Sequence, residues 1–300
     1  MRKQTIVFFA VVIAMASFGA RSCSTEMSQE PVVNENDNMV MLVSKEIKDE
    51  VIIEEIIDDI LYDLEQFDFK KSETTCPVVT VEQPEDARFP KIITRDFGEG
   101  CVNEWGVEKS GKVIVTVYGP WLKEGSKRTV EFEDYTHRGT AVSGKKVIVC
   151  KGMNEDGYYV HSIRGKIQLV REDGMVISRE ITRHRTMLAG FGEPDVPKEW
   201  LLEGKTIVEK SNGREYVMNI REPLYRIQGC RWAQSGVKVI RFNIDEEEEA
   251  DDAVVEGAPG YRHKVVIDYG FVGPEDSACD SFVLRKVDDK EAEVVDLGNQ

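Results

Sequence analysis

The chain has no excess of positive charge: 39 Lys and Arg stand against 55 Asp and Glu, a net charge of −16 over 300 residues. No general basic field exists to hold a phosphate backbone, so nucleic-acid binding is not expected. Long hydrophobic runs are also missing. The most apolar stretch, Ile6 to Ala16, is eleven residues, against the roughly 20 that a spanning helix needs. The six cysteines show no Cys-x-x-Cys or Cys–His spacing of the kind that builds a zinc site. Neither a Gly-x-Ser-x-Gly elbow nor a Gly-x-x-x-x-Gly-Lys phosphate loop occurs, and Gly98-x-Gly100 lacks the third glycine of a dinucleotide motif. Of the four histidines, His184 and His263 sit between cations, which disfavours metal ligation, and His137 and His161 carry no ligand spacing. No catalytic residue, metal site or cofactor is therefore assigned, and no enzymatic activity is expected.

What remains is enough apolar material, 41% of residues, for one large or two small packed cores. The acidity is local. Ser44 to Gln66 holds nine acids and two lysines, a net of −7, and Asp245 to Asp252 holds seven acids and no base. The rest is nearly charge-balanced. The second run lacks the interleaved glycine and spaced oxygens of a calcium loop and reads as a solvated connection.

The N-terminus, Met1-Arg2-Lys3 followed by the short apolar stretch, matches an export signal. It ends Ala20-Arg21-Ser22-Cys23, so that Cys23 stands first after a cut at small residues, as in a bacterial lipoprotein box. Acylation of Cys23 would anchor the chain to a membrane surface. The alternative is ordinary cleavage near Ala16, Gly19 or Ala20. The organisation expected is a signal peptide over 1–22, a flexible tether over 23–43, an amphipathic helix over 44–71, an antiparallel β domain over 76–288 and a polar tail over 289–300.

The helix rests on Ile47, Val51, Ile53, Ile57, Ile60, Leu61 and Leu64, which recur mostly every three to four residues behind Ser44 as N-cap. Its apolar stripe, widened by Ile52 and Ile56, must be buried against the main domain or another chain. Beyond Ser72 the pattern changes to period two. Val113, Val115 and Val117 alternate, as do Val130 and Phe132, then Ile163, Ile167 and Leu169 against Arg164, Lys166 and Gln168, then Met175, Ile177 and Ile181. Asn154 to Gly157, Glu172-Asp173-Gly174 and Ser211-Asn212-Gly213 read as turns between strands. The fold class is mainly β: about a dozen strands in an antiparallel meander, forming a sandwich or a partly open barrel, with one N-terminal helix.

An internal echo joins Asp96-Phe97-Gly98, with Cys101 after it, to Asp268-Tyr269-Gly270, with Cys279 after it. The two matching turns suggest a Cys101–Cys279 disulfide, the alternative being buried free thiols. Trp105, Tyr118, Trp121, Trp200, Tyr225 and Trp232 are read as core aromatics, or else as a sugar-stacking face.

Over Phe89 to Lys286 the chain resembles a group of uncharacterised secreted β-rich lipoproteins of Bacteroidota. The resemblance sits in Asp96-Phe97-Gly98 with Gly100-Cys101, Ser110-Gly111-Lys112, Cys230-Arg231-Trp232, and Asp268-Tyr269-Gly270 with Cys279-Asp280. It implies a cell-envelope address and a β-rich fold, and brings no activity or ligand. The expected function is a lipid-anchored envelope protein with a non-catalytic binding or structural role. Its partners would be the membrane, through the anchor, and a glycan or envelope protein. Its place would be the outer membrane or cell surface, otherwise the periplasm or the exterior. The alternatives are a secreted glycan-acting hydrolase using paired carboxylates, and a carrier of lipid or another apolar ligand lined by Ile53, Ile57 and Leu61.

Overall fold

The computed structural model describes residues 76–102, 106–191, 196–230, 232–243, 263–270, 279 and 281–297. The chain divides into Met1–Leu42 and Val43–Gln300, and every described residue lies in the second. Cys23, the expected helix over 44–71, Trp105 and the acidic run 245–252 fall outside the described residues.

The described chain is almost wholly β: β1 (Val78–Glu82), β2 (Lys91–Asp96), β3 (Cys101–Val102), β4 (Glu108–Val117), β5 (Lys127–His137), β6 (Thr140–Met153), β7 (Tyr159–Val170), β8 (Val176–Ala189), β9 (Glu199–Lys210), β10 (Glu215–Ile227), β11 (Ser235–Asn243), β12 (His263–Asp268), β13 (Phe282–Val287) and β14 (Glu293–Asp296). They form one antiparallel sheet in sequence order, apart from the short β3, which pairs with β4 beside β2. The sheet does not close into a barrel. Each of the runs read from period two became a strand, and the three turn signals became the β6–β7, β7–β8 and β9–β10 connections. Within them Gly157 N–H donates to Asn154 O and Gly213 N–H to Lys210 O, both at 3.0 Å.

Alternation gives the sheet two unlike faces. On the outer face charged residues pair across strands: Lys112 with Glu133 at 2.6 Å, Lys145 with Glu131 at 3.1 Å and Lys166 with Glu180 at 3.5 Å. These are solvated, screened pairs that contribute little to stability. On the inner face Val115, Val130, Ile163, Leu169, Ile177, Val208, Ile240 and Val265 are at most 1% exposed and form the core. Glycine shapes this face. Gly204 has φ +123°, and a Cβ there would lie 2.3 Å from the Thr182 carbonyl oxygen. β9 thus runs closer to β8 than any side chain would permit.

The echo in the sequence is local geometry repeated near the two ends of the sheet. Gly98 N–H donates to Asp96 Oδ1 and Gly270 N–H to Asp268 Oδ1, both at 2.8 Å. Phe97 N–H reaches Gly111 O, and Tyr269 N–H reaches Gly236 O. Each ring then takes a lysine over it, Lys109 Nζ at 5.7 Å from the Phe97 centroid and Lys238 Nζ at 5.5 Å from that of Tyr269.

The cysteine that follows each turn is not paired with its counterpart. Cys76 bonds to Cys101, with Cα atoms 5.9 Å apart, and Cys230 to Cys279, with Cα atoms 5.1 Å apart. The expected Cys101–Cys279 bridge is not formed. Cys101 lies on β3 beside β4, and Cys279 precedes β13, nine strand steps beyond β4 along the meander. Each of the two sulfurs is already bonded to a cysteine near its own end of the sheet, which leaves none for a bridge between the ends. Among the described residues Cys150 is the free, buried thiol.

Candidate functional site: a cationic inner face

The inner face is built by register. Ile148 of β6 stands opposite Ile163 of β7, Ile163 opposite Arg183 of β8, and Arg183 opposite Gly204 of β9. One row over, Lys146 faces Gly165, Gly165 faces Ile181, and Ile181 faces Thr206. The next holds Ile167, Arg179, Val208 and Tyr216. Cations therefore interleave with aliphatic residues inside the same face. Lys109, Lys146, Arg179, Arg183, Arg185, Lys210 and Lys238 are all at most 7% exposed.

A described carboxylate, Asp288, meets this face next to β13 at His263, which stands opposite Phe242. Other acids fall on the opposite parity: Glu131 faces Ile114 and Lys145, Glu180 faces Lys166 and Ile207, and Glu203 faces His184. At the last edge Glu293 stands opposite Arg285 and pairs with it. Arg183 Nη2 donates to Thr206 Oγ1 at 3.0 Å.

Trp121, on the β4–β5 connection, gathers one end of the face. Its ring stacks on His161 with centroids 4.0 Å apart and planes 19° apart. The guanidinium carbon of Arg128 lies 3.8 Å from the Trp121 centroid and that of Arg185 5.4 Å. Burial pushes the Arg128 guanidinium down to about 10 and that of Arg185 down to about 9. Both remain cationic at neutral pH. Lys198 is also held below the usual lysine value, by burial first and by the charge of Arg185 second. Such a cluster favours an anionic group with an apolar body.

His161 is held neutral there. Burial lowers its imidazole to about 4, assisted by the Arg128 charge and opposed by its bond to the Trp121 carbonyl. In that state Nε2–H donates to Trp121 O at 3.2 Å. Because the unfolded chain takes up this proton near pH 6.5 and the folded chain only near 4, the contribution of His161 is complete above 6.5. It is lost as the pH falls from 6.5 to 4. Chemical denaturation across that range should show a loss of about 3 kcal/mol from this group. His161→Phe, which keeps the stack, should flatten the slope; an unchanged slope would refute the assignment.

The other residues singled out in the sequence scatter. His137 is fully buried on the inner face, opposite Lys109, and His184 is exposed on the outer one. His263 Nδ1 meets Asp288 Oδ2 at 2.9 Å. Trp200 lies in the inner-face row between Met187 and Arg226, whereas the Tyr225 hydroxyl donates to Glu199 on the outer face. The aromatics thus do not form one sugar-stacking surface. Among the described residues no group of three His, Cys, Asp or Glu side chains is placed to hold a metal ion, and no helix is long and apolar enough to cross a membrane.

The buried cations are the feature that the sequence reading missed. Its signal was parity: in β8, Arg179, Arg183 and Arg185 share the alternation of Ile177, Ile181 and Met187. Charged residues on an apolar parity are where a strand departs from ordinary half-burial. Comparison of the chain with protein-family models, with curated proteins and with solved structures finds no match.

Proposed function

We propose that the chain is a lipid-anchored protein of the cell envelope, non-catalytic, whose inner sheet face seats an anionic amphiphile: an acidic or phosphorylated head on an apolar body. The observation that carries this reading is the interleaving of aliphatic residues with buried cations on one face of the sheet. Apolar surface supplies most of the affinity for such a molecule, and the cations select its charge. The two disulfides are compatible with an exported chain. The paired-carboxylate alternative gains nothing from this face, whereas the carrier alternative shares its apolar rows.

Two measurements test the proposal. Intact mass of the protein from its native membrane fraction should show a diacyl or triacyl increase that Cys23→Ala abolishes. An unmodified chain beginning before Cys23 would overturn the anchor. Calorimetric titration with dodecyl phosphate below its micelle concentration should be saturable and at least about tenfold tighter than with uncharged dodecyl maltoside, one tenfold step being 1.4 kcal/mol. Equal binding of the two, or none, would overturn the binding role.

A further inference from the structure

The connections of a meander alternate between the two ends of its strands, and here the ends differ in chemistry. One end carries the β1–β2, β4–β5, β6–β7, β8–β9 and β10–β11 connections. The other carries the β5–β6, β7–β8 and β9–β10 connections, short turns such as Arg138-Gly139 and Ser211 to Arg214. At the first end Tyr118, Met153, Tyr158 and Val196 are each at least 38% exposed, and the β4–β5, β6–β7 and β8–β9 hairpins all contribute to them. At the second end no aromatic residue is exposed among the described residues, and the large apolar side chains standing in solvent are Val78, Val102 and Val170. Rings at the first end also take cations. Lys127 Nζ lies 4.1 Å from the Tyr118 centroid, and Arg88 Cζ and Lys91 Nζ lie 5.9 and 5.8 Å from that of Phe89, on the β1–β2 connection. Aromatic side chains with an apolar body and a polar tip settle at the boundary between hydrocarbon and headgroups, where lysine and arginine reach the phosphates.

We propose that this aromatic end of the sheet docks on the surface of a lipid bilayer, with Tyr118, Met153, Tyr158 and Val196 seated at the headgroup level. The docking surface is formed by the tips of hairpins and not by the inner face, so it stands without the amphiphile reading. Two features favour a bilayer as the partner. Successive connections at this end are two strands apart, about 10 Å. A row of separate side chains at that spacing suits a broad, soft surface better than a single sugar ring. The second feature is charge complementarity. A cation held over a ring meets a layer of phosphates while the ring meets the hydrocarbon below it, and a neutral glycan offers no such layer. Trp121, with His161 stacked on it and Arg128 beside it, lies at the same end. Docking would therefore set that cluster next to the lipid.

The full-length chain on phosphatidylcholine vesicles tests the docking. The first tryptophan of the sequence is Trp105, so an N-terminal anchor or signal segment held in lipid adds no emission of its own, and Trp121, Trp200 and Trp232 all lie toward the docking end. Phosphatidylcholine brominated close to the headgroup should quench at least about a fifth of the tryptophan emission seen on unbrominated vesicles. Tyr118→Ser, Met153→Ser and Tyr158→Ser together should remove at least about half of that quenching and, as exposed positions, leave the melting temperature nearly unchanged. Val78→Ser, Val102→Ser and Val170→Ser together should leave the quenching as it was. No quenching of the wild type, or equal losses in the two variants, would overturn the docking. Hydrogen exchange asks the same question without substitutions. Vesicles should slow exchange in 118–126 and 154–158 at least about threefold and leave 171–175 and 211–214 unchanged. Slowing at both ends, or at the second alone, would overturn the proposal, as would slowing of 118–126 and 154–158 by soluble maltoheptaose but not by vesicles. Quenching without dodecyl phosphate binding would sink the binding role while leaving the docking in place. Dodecyl phosphate binding without quenching would do the reverse.

Discussion

Gly204→Ala lowers the melting temperature by on the order of 10 °C. The added Cβ meets the Thr182 carbonyl oxygen at 2.3 Å and the Arg183 Cα at 2.7 Å, both backbone atoms, at φ +123°. Backbone on a central strand cannot retreat as a flexible side chain would, so β8 and β9 must separate where Arg183 is seated. Overpacking together with a forbidden dihedral costs about 3–5 kcal/mol, and a domain of this size loses roughly 2–4 °C per kcal/mol. Gly174→Ala is the control. Its φ is +81°, but nothing lies within 4 Å of the new Cβ, so only the dihedral cost of about 1–2 kcal/mol remains. Thermal melts of the two variants should separate clearly, and equal losses would mean that close approach at Gly204 contributes nothing.

Replacing Cys230 and Cys279 together by serine should cost about 4 kcal/mol, and the same change at Cys76 and Cys101 about 3.5 kcal/mol, from the loop entropy returned to the unfolded chain. The difference follows from sequence separations of 49 and 25 residues. Paired substitution avoids leaving a lone thiol. Denaturant midpoints with unchanged slopes would report the losses. If reduced and oxidised wild type unfold at the same midpoint, the bridges carry no stability.

Much of the fold was legible because period two and turn residues are local signals. Val113, Val115 and Val117 alternate within one strand, and Ser211-Asn212-Gly213 turns the chain without help from elsewhere. Disulfide pairing was not legible. The likeness of Asp96-Phe97-Gly98 to Asp268-Tyr269-Gly270 is real in geometry, but resemblance between two turns does not bring them together. Each is a similar solution at a different end of the sheet. The site was legible only in part. Apolar positions were assigned by residue type, so arginines on an apolar parity were passed over, although register makes Arg183 a neighbour of Ile163. A second signal also lay in the strands. Gly111-Lys112, Gly144-Lys145, Gly165-Lys166 and Gly204-Lys205 each open an apolar alternation in β4, β6, β7 and β9. Such recurrence marks hairpins stacked on a common plan.

The order of the meander has a consequence for how the cysteines find their partners. Every strand from β4 onward pairs first with the one just before it, so a chain emerging N-terminus first can dock each strand as it appears. Cys76 meets Cys101 after 25 residues, before any other thiol of the sheet has emerged. Cys150 comes next and is 1% exposed within β6. Docking between β5 and β7 removes it from oxidants before Cys230 arrives, which leaves Cys230 for Cys279. Vectorial assembly thereby proofreads the pairing, and refolding from the whole denatured chain, where Cys150 competes from the start, should scramble it.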